Sequence, residues 1–117
     1  MSNVSEALKT KGLCLTVVLG GCVVKESDIV KSIIRYLKSL TDCFCWKEHG
    51  GMYGTAGIPD IICCYKGRFY GFEVKTEDGK PTELQKAMIR KIQKAGGTAL
   101  VVRSVDEVRA VINGSLQ

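Results

Sequence analysis

Asp60, Glu73 and Lys75 are the residues of this chain whose types and spacing best suit chemistry. They belong to the stretch GIPDIICCYKGRFYGFEVK, residues 57 to 75, which reads as two apolar runs, Ile58 to Tyr65 and Arg68 to Lys75, joined by Lys66-Gly67. Runs rich in Ile, Tyr, Phe and Val around a two-residue link containing Gly predict a β-hairpin. Such a link pairs Tyr65 with Arg68, Cys64 with Phe69 and Ile62 with Gly71, so that Asp60 falls opposite Glu73. Side chains alternate between the two faces, which puts Lys75 on the same side as Glu73. Directly opposed side chains lie about 5 Å apart, and like charges in that arrangement repel. Two carboxylates held together on an apolar hairpin call for a positive partner. A divalent cation, with Lys75 beside it, meets that demand. The plainer alternative makes Asp60 a solvated strand start and Glu73-Lys75 an ordinary ion pair. The matched register, Pro59 ahead of the acid and the apolar neighbours of both carboxylates favour the cation site.

The elements that would position this hairpin follow from periodicity. Lys25 to Leu40 predicts an amphipathic helix, with Ile29, Val30, Ile33, Ile34, Leu37 and Leu40 on one stripe and Lys31, Arg35 and Lys38 opposite. Glu26 lies in the apolar stripe, one turn before Val30. Either it seeks a partner at the hairpin carboxylates or it sits in a frayed first turn and favours the helix dipole. Cys43 to Lys47 is a short strand with Phe44 and Trp46 on one face, and His49 to Gly57 (HGGMYGTAG) is a Gly-rich loop. That loop lacks the Gly-Lys-Ser/Thr ending of a phosphate-binding loop, so no nucleotide cofactor is expected. It is suited instead to draping over a nucleic-acid strand, with Tyr53 offering a ring and His49, a loop residue rather than a catalyst, a polar contact. Both hairpin faces are largely apolar, which predicts a sheet covered by helices on both sides. Thr82 opens a second helix to about Ala95, and Gln85 stands at capping-box spacing from it. Lys86, Arg90 and Lys94 line one side of that helix and form the candidate DNA-backbone stripe. Thr98 to Arg103 predicts a buried strand, and Ser104 with Glu107 opens a short terminal helix through Ile112.

With 117 residues the chain is a single domain, and its 45% hydrophobic and 25% charged content is ordinary for a globular protein. The net charge of +5 is unevenly placed. Between Lys66 and Lys94 eight Lys and Arg outnumber four Asp and Glu, a balance that suits a polyanionic partner. The six cysteines (14, 22, 43, 45, 63 and 64) are best explained as free thiols, Cys63 and Cys64 pointing to opposite faces of a strand. Cys43, Cys45 and His49 lack the further Cys/His pair of a structural zinc site. Free thiols predict a reducing, intracellular compartment. Residues 1 to 24 form an N-terminal extension of uncertain role. Its apolar run from Leu13 to Leu19, followed by Gly20-Gly21-Cys22, resembles a short secretory or lipoprotein signal and also a hairpin. The non-targeting reading is preferred, and the run is too short to span a bilayer.

Pro59-Asp60 followed by Glu73-Val74-Lys75 resembles the PD-(D/E)xK nuclease signature. The longer pattern of Gly57 to Asp60 (GIPD), Phe72 to Thr76 (FEVKT) and a following Gln85 resembles its virus-type replication-repair branch, the VRR-NUC domain, over about residues 24 to 112. The resemblance implies one restriction-endonuclease-like α/β domain over residues 25 to 117. Its αβββαβ core would build a central mixed sheet flanked by helices, with a short C-terminal helix added. It also implies a Mg²⁺-dependent DNA endonuclease, with Mn²⁺ as a substitute ion. In such domains Asp60, Glu73, the Val74 carbonyl and a helical Glu, here Glu26, would hold the metal. Lys75 would orient water or stabilise the phosphate, and Gln85 would lie near the active site. Stand-alone VRR-NUC domains resemble Holliday-junction resolvases, which implies a homodimer acting on branched DNA in recombination and repair. A cytoplasmic, phage or bacterial setting and no membrane partner go with this picture. The alternatives are a general or nicking nuclease on duplex or flapped DNA, and a non-catalytic DNA-binding module or a subunit dependent on a partner.

Overall fold

The computed structural model describes residues 24–49 and 54–114. The readings made of residues 1 to 23 and of Tyr53 lie outside these. Helix α1 spans Glu26–Lys38 and buries Ile29, Val30, Ile33 and Leu37, four positions of the predicted stripe. Glu26 and Asp28 in its first turn and Arg35 and Lys38 in its last complement the helix dipole. Three antiparallel strands follow: β1 (Cys43–Lys47), β2 (Ile61–Tyr65) and β3 (Arg68–Val74). Helix α2 (Glu83–Lys94) then carries the chain to β4 (Thr98–Val102), and α3 (Val105–Ile112) closes the order. The four strands stand side by side as β1-β2-β3-β4, with β4 parallel to β3. This is the expected mixed sheet and αβββαβ order.

The hairpin forms in the predicted register, with Tyr65 opposite Arg68, Cys64 opposite Phe69 and Ile62 opposite Gly71. Lys66 and Gly67 both take positive φ (50° and 81°), the turn whose twist matches that of paired strands. Alternation then sorts the side chains. Ile61, Cys63, Tyr70, Phe72 and Val74 pack with Ile29, Ile33 and Leu37 of α1 and Val108 and Val111 of α3 into the main core. Complete burial of such a side chain stabilises by about 1.5–3 kcal/mol, so this face anchors the domain.

The opposite face departs from expectation. Helix α2 packs on it over β3 and β4. Phe44, Trp46 and Phe69 remain exposed there, at 68%, 42% and 43%, and Cys64 is exposed beside them. An apolar alternation shows which side chains share a face, and says nothing about how far a crossing helix reaches. The described thiols (43, 45, 63 and 64) are all free; Cys43 Sγ lies 3.4 Å from Cys63 Sγ on the core side. Among the described residues no helix is long and apolar enough to cross a membrane.

The approach to β2 is tightly fitted. Gly71 has no side chain because Pro59 sits over it; a Cβ there would come within 3.0 Å of the proline ring. Gly57 has φ +83° and would place a Cβ 2.8 Å from Leu84 and 2.9 Å from Met88 of α2. Pro59 and Asp60 are thereby clamped between sheet and helix. Gly67 also has positive φ, with open space around it. Gly67→Ala should therefore cost only backbone strain, about 1–2 kcal/mol. Gly57→Ala adds an overpacking penalty of about 1–3 kcal/mol. Thermal melts should show the larger drop for Gly57→Ala; equal drops would contradict the clamp.

Candidate active site

Asp60 occupies the bend just before β2, one step beyond the Ile61–Phe72 pair, and that continuation of the register sets it against Glu73. Two bonds hold it. The Val74 amide donates to Asp60 Oδ2 at 2.8 Å, and the Asp60 carbonyl accepts from the Glu48 amide at 2.7 Å. Glu73 lies on a central strand, β3, and is 1% exposed. Its Oε2 accepts from Gln85 Nε2 at 2.9 Å and stands 3.8 Å from Lys75 Nζ. Its Oε1 is buried and has no hydrogen-bond partner. A buried acceptor with nothing to bond is rare and costly in a folded protein. Burial and the neighbouring Asp60 carboxylate push the Glu73 carboxyl up to about 8, against the pull of Lys75 and with a smaller push from Glu26.

Gln85 completes the expected capping box and also reaches Glu73. Its Oε1 accepts from the Thr82 amide at 2.9 Å, and its own amide donates to Thr82 Oγ1 at 3.1 Å, completing the capping box. That leaves Nε2 free to hold Glu73. One side chain therefore starts α2 and docks it on the acid. Lys75 is fixed from its backbone, whose amide donates to the Val102 carbonyl at 3.1 Å, and its stem passes Gly79.

The turn that follows Lys75 depends on Arg103, which sequence reasoning missed. Its guanidinium donates to the Thr76, Glu77 and Gly79 carbonyls, and its amide is accepted by Glu107 Oε1 at 2.7 Å. The partners are main-chain carbonyls, so no residue type in the sequence signals them.

Other candidates are placed differently. Glu26 is exposed in the first turn of α1; its charge is felt by Glu73, but it does not join the two acids as a third ligand. Among the described residues no three Asp, Glu, His or Cys side chains converge closely enough to hold an ion. The place of Glu26 in the first turn suits the helix dipole. Val74 is buried, and its amide is committed to Asp60. Lys86 pairs with Glu83 at 3.1 Å, whereas Arg90 and Lys94 are exposed and form no ion pair among the described residues. His49 is exposed.

The two acids nevertheless fit a metal. The orphaned Glu73 Oε1 beside a second carboxylate is a hard-oxygen donor set, and Mg²⁺ commonly takes one or two carboxylates and fills its remaining positions with water and phosphate.

A solved structure described as a VRR_NUC domain protein aligns with a TM-score of 0.64 at 21% identity, over 81% of this chain and 90% of its own. A second, described as a VRR_NUC domain, aligns with the same TM-score at 26% identity, over 75% of this chain and 94% of its own. The chain shares the fold of these VRR-NUC domains. No family model matches the sequence. No curated protein matches it either. The VRR-NUC likeness is therefore carried by backbone geometry together with the short motif around Asp60 and Glu73.

The raised Glu73 carboxyl gives the metal-free domain a pH signature. Its folded value of about 8 lies above the ordinary 4.5, so the folded state holds a proton that the unfolded state releases. The stability this confers is complete below about 4.5 and is lost as pH rises through about 8. The Cys45 and Cys63 thiols, also pushed up by burial, start from 9.0 and act above that window. Denaturant melts in a chelator should show falling stability across this range, and Glu73→Gln should flatten the profile. A wild-type profile as flat as the variant's would contradict the assignment.

Proposed function

We propose that this domain is a metal-dependent endonuclease that hydrolyses DNA phosphodiester bonds, with selectivity for branched DNA and action as a homodimer. The observation that carries the reading is the buried, unpartnered Glu73 Oε1 set against Asp60, with an ammonium group 3.8 Å from the other oxygen. The nuclease class is further supported by the two VRR_NUC structures of similar fold. Branched-DNA selectivity and the homodimer rest on the motif resemblance alone.

Asp60 and Glu73 would hold Mg²⁺ or Mn²⁺, with the Val74 carbonyl and, through water, Glu26 as further oxygen donors. The ion, when bound, lowers the pKa of a coordinated water and offsets charge developing on the phosphate. The chain's own residues do the rest. Gln85 fixes Glu73 Oε2, so that Oε1 is the oxygen left for the ion. The Val74 amide holds Asp60 in register with it. Lys75 supplies a positive charge to the phosphate oxygens, and preorganised charges of this kind are worth about 10²–10³-fold in rate. Arg103 keeps the turn beyond Lys75 in place. Exposed Arg90 and Lys94 on α2, within a chain of net charge +5, attract the sugar-phosphate backbone.

Asp60→Asn can still accept from the Val74 amide and should fold normally, yet abolish Mg²⁺-dependent cutting. Lys75→Ala should lower the rate by about 10²–10³-fold and leave DNA affinity nearly unchanged. Four-way, flap and linear substrates cut side by side should show preference for the junction. Undiminished cutting by Asp60→Asn would overturn the metal site, and equal cutting of all three substrates would overturn the selectivity.

A further inference from the structure

The open half of the sheet carries rings that the site just described does not use. Extending the strand register gives three rows of side chains on the face that holds Asp60 and Glu73. Asp60 and Glu73 form the first row, Trp46, Ile62 and Gly71 the second, and Phe44, Cys64 and Phe69 the third. The Phe44 and Trp46 rings lie 5.6 Å apart, centroid to centroid, and the indole nitrogen is already bonded to Glu48 at 2.9 Å, so its flat face is what remains on offer. Strands are spaced about 4.8 Å apart and rise about 3.4 Å per residue. Trp46 is thereby set about 8 Å from Asp60 along the backbone grid, a few nucleotides' reach at most.

We propose that Phe44, Trp46 and Phe69 form a base-stacking platform for unpaired nucleotides next to the cut phosphate. The inference rests on the nuclease reading and narrows its substrate to DNA with unpaired bases beside the scissile bond. Three observations favour this occupant over a second copy of the chain. The rings are continuous with the carboxylate row, on the same face. The basic side chains Arg90 and Lys94 belong to the helix covering the other half of that face, so phosphates and bases would each find a matching surface. Finally, three rings of about 150–250 Å² each, at the exposures seen, offer only about 300 Å², well short of the ~800 Å² per partner of a stable interface. In a blunt duplex the bases stack on one another and their faces are closed to the rings. Unpaired bases stack on aromatic side chains with little regard to sequence.

Trp46 is the chain's single tryptophan, so its emission reads the platform directly. Full-length protein in a chelator should show saturable quenching by oligo(dT) and none by a blunt duplex of equal length. Phe44→Ala should weaken oligo(dT) binding about tenfold with an unchanged melting profile, since Phe44 is exposed. Emission unmoved by oligo(dT) that anisotropy shows to be bound would overturn the platform. So would emission that shifts with protein concentration alone, the signature of a second copy, or a Trp46 shielded from acrylamide in the DNA-free chain. Cutting that Asp60→Asn abolishes, alongside an unresponsive Trp46, would remove the platform and leave the nuclease reading intact. Quenching by oligo(dT) in a protein that cuts no DNA would do the reverse.

Discussion

Two carboxylates facing each other across adjacent strands, one of them sealed from water, set the conditions for the rest of this domain. Glu73 has no solvent to spread its charge, a second acid beside it and one oxygen without a partner. An isolated arrangement of that kind is unfavourable by several kcal/mol in general. Without a metal the domain resolves it by holding a proton on Glu73. With one, the same geometry would become the proposed site for a hard cation. Strain of this sort is kept only where surrounding structure over-determines it.

The surrounding structure does so from three directions. The hairpin register and the Val74 amide fix Asp60. Helix α2 is docked on Glu73 through Gln85, the side chain that also starts the helix, so helix position and acid orientation cannot vary independently. The turn after Lys75 is gathered by Arg103 from the end of β4, which ties the ammonium-bearing segment to the parallel strand. The main core lies entirely on the far side of the sheet, between the strands and helices α1 and α3. This division lets the near side hold polar groups and exposed rings while the far side supplies most of the apolar burial.

Much of this was legible in the sequence because it depends on local rules. A two-residue link sets a hairpin register, a register sets which side chains face each other, and the Asp60–Glu73 opposition follows from the spacing alone. Capping-box spacing likewise announced Gln85, although the second bond to Glu73 needed the fold. The illegible parts depend on longer range. Glu26 reads as inward on a helical wheel, yet it is exposed in the first turn of α1. Arg103 acts on main-chain carbonyls, which carry no residue signature. The bare half of the second face could not be foreseen, since Phe44, Trp46 and Phe69 look like core in a pattern and are exposed, while α2 packs over β3 and β4.

The central claim is that the acid pair is a cation site, and ion-dependent stability tests it most directly. Anything that binds only the folded state stabilises it, by about 2.7 kcal/mol at a ligand concentration one hundred times its Kd. Thermal unfolding at pH 8 should shift upward as Mg²⁺ or Mn²⁺ is added to the wild-type domain. No such shift should occur when Asp60→Asn and Glu73→Gln are combined. An equal shift in both proteins, or none in either, would contradict the account.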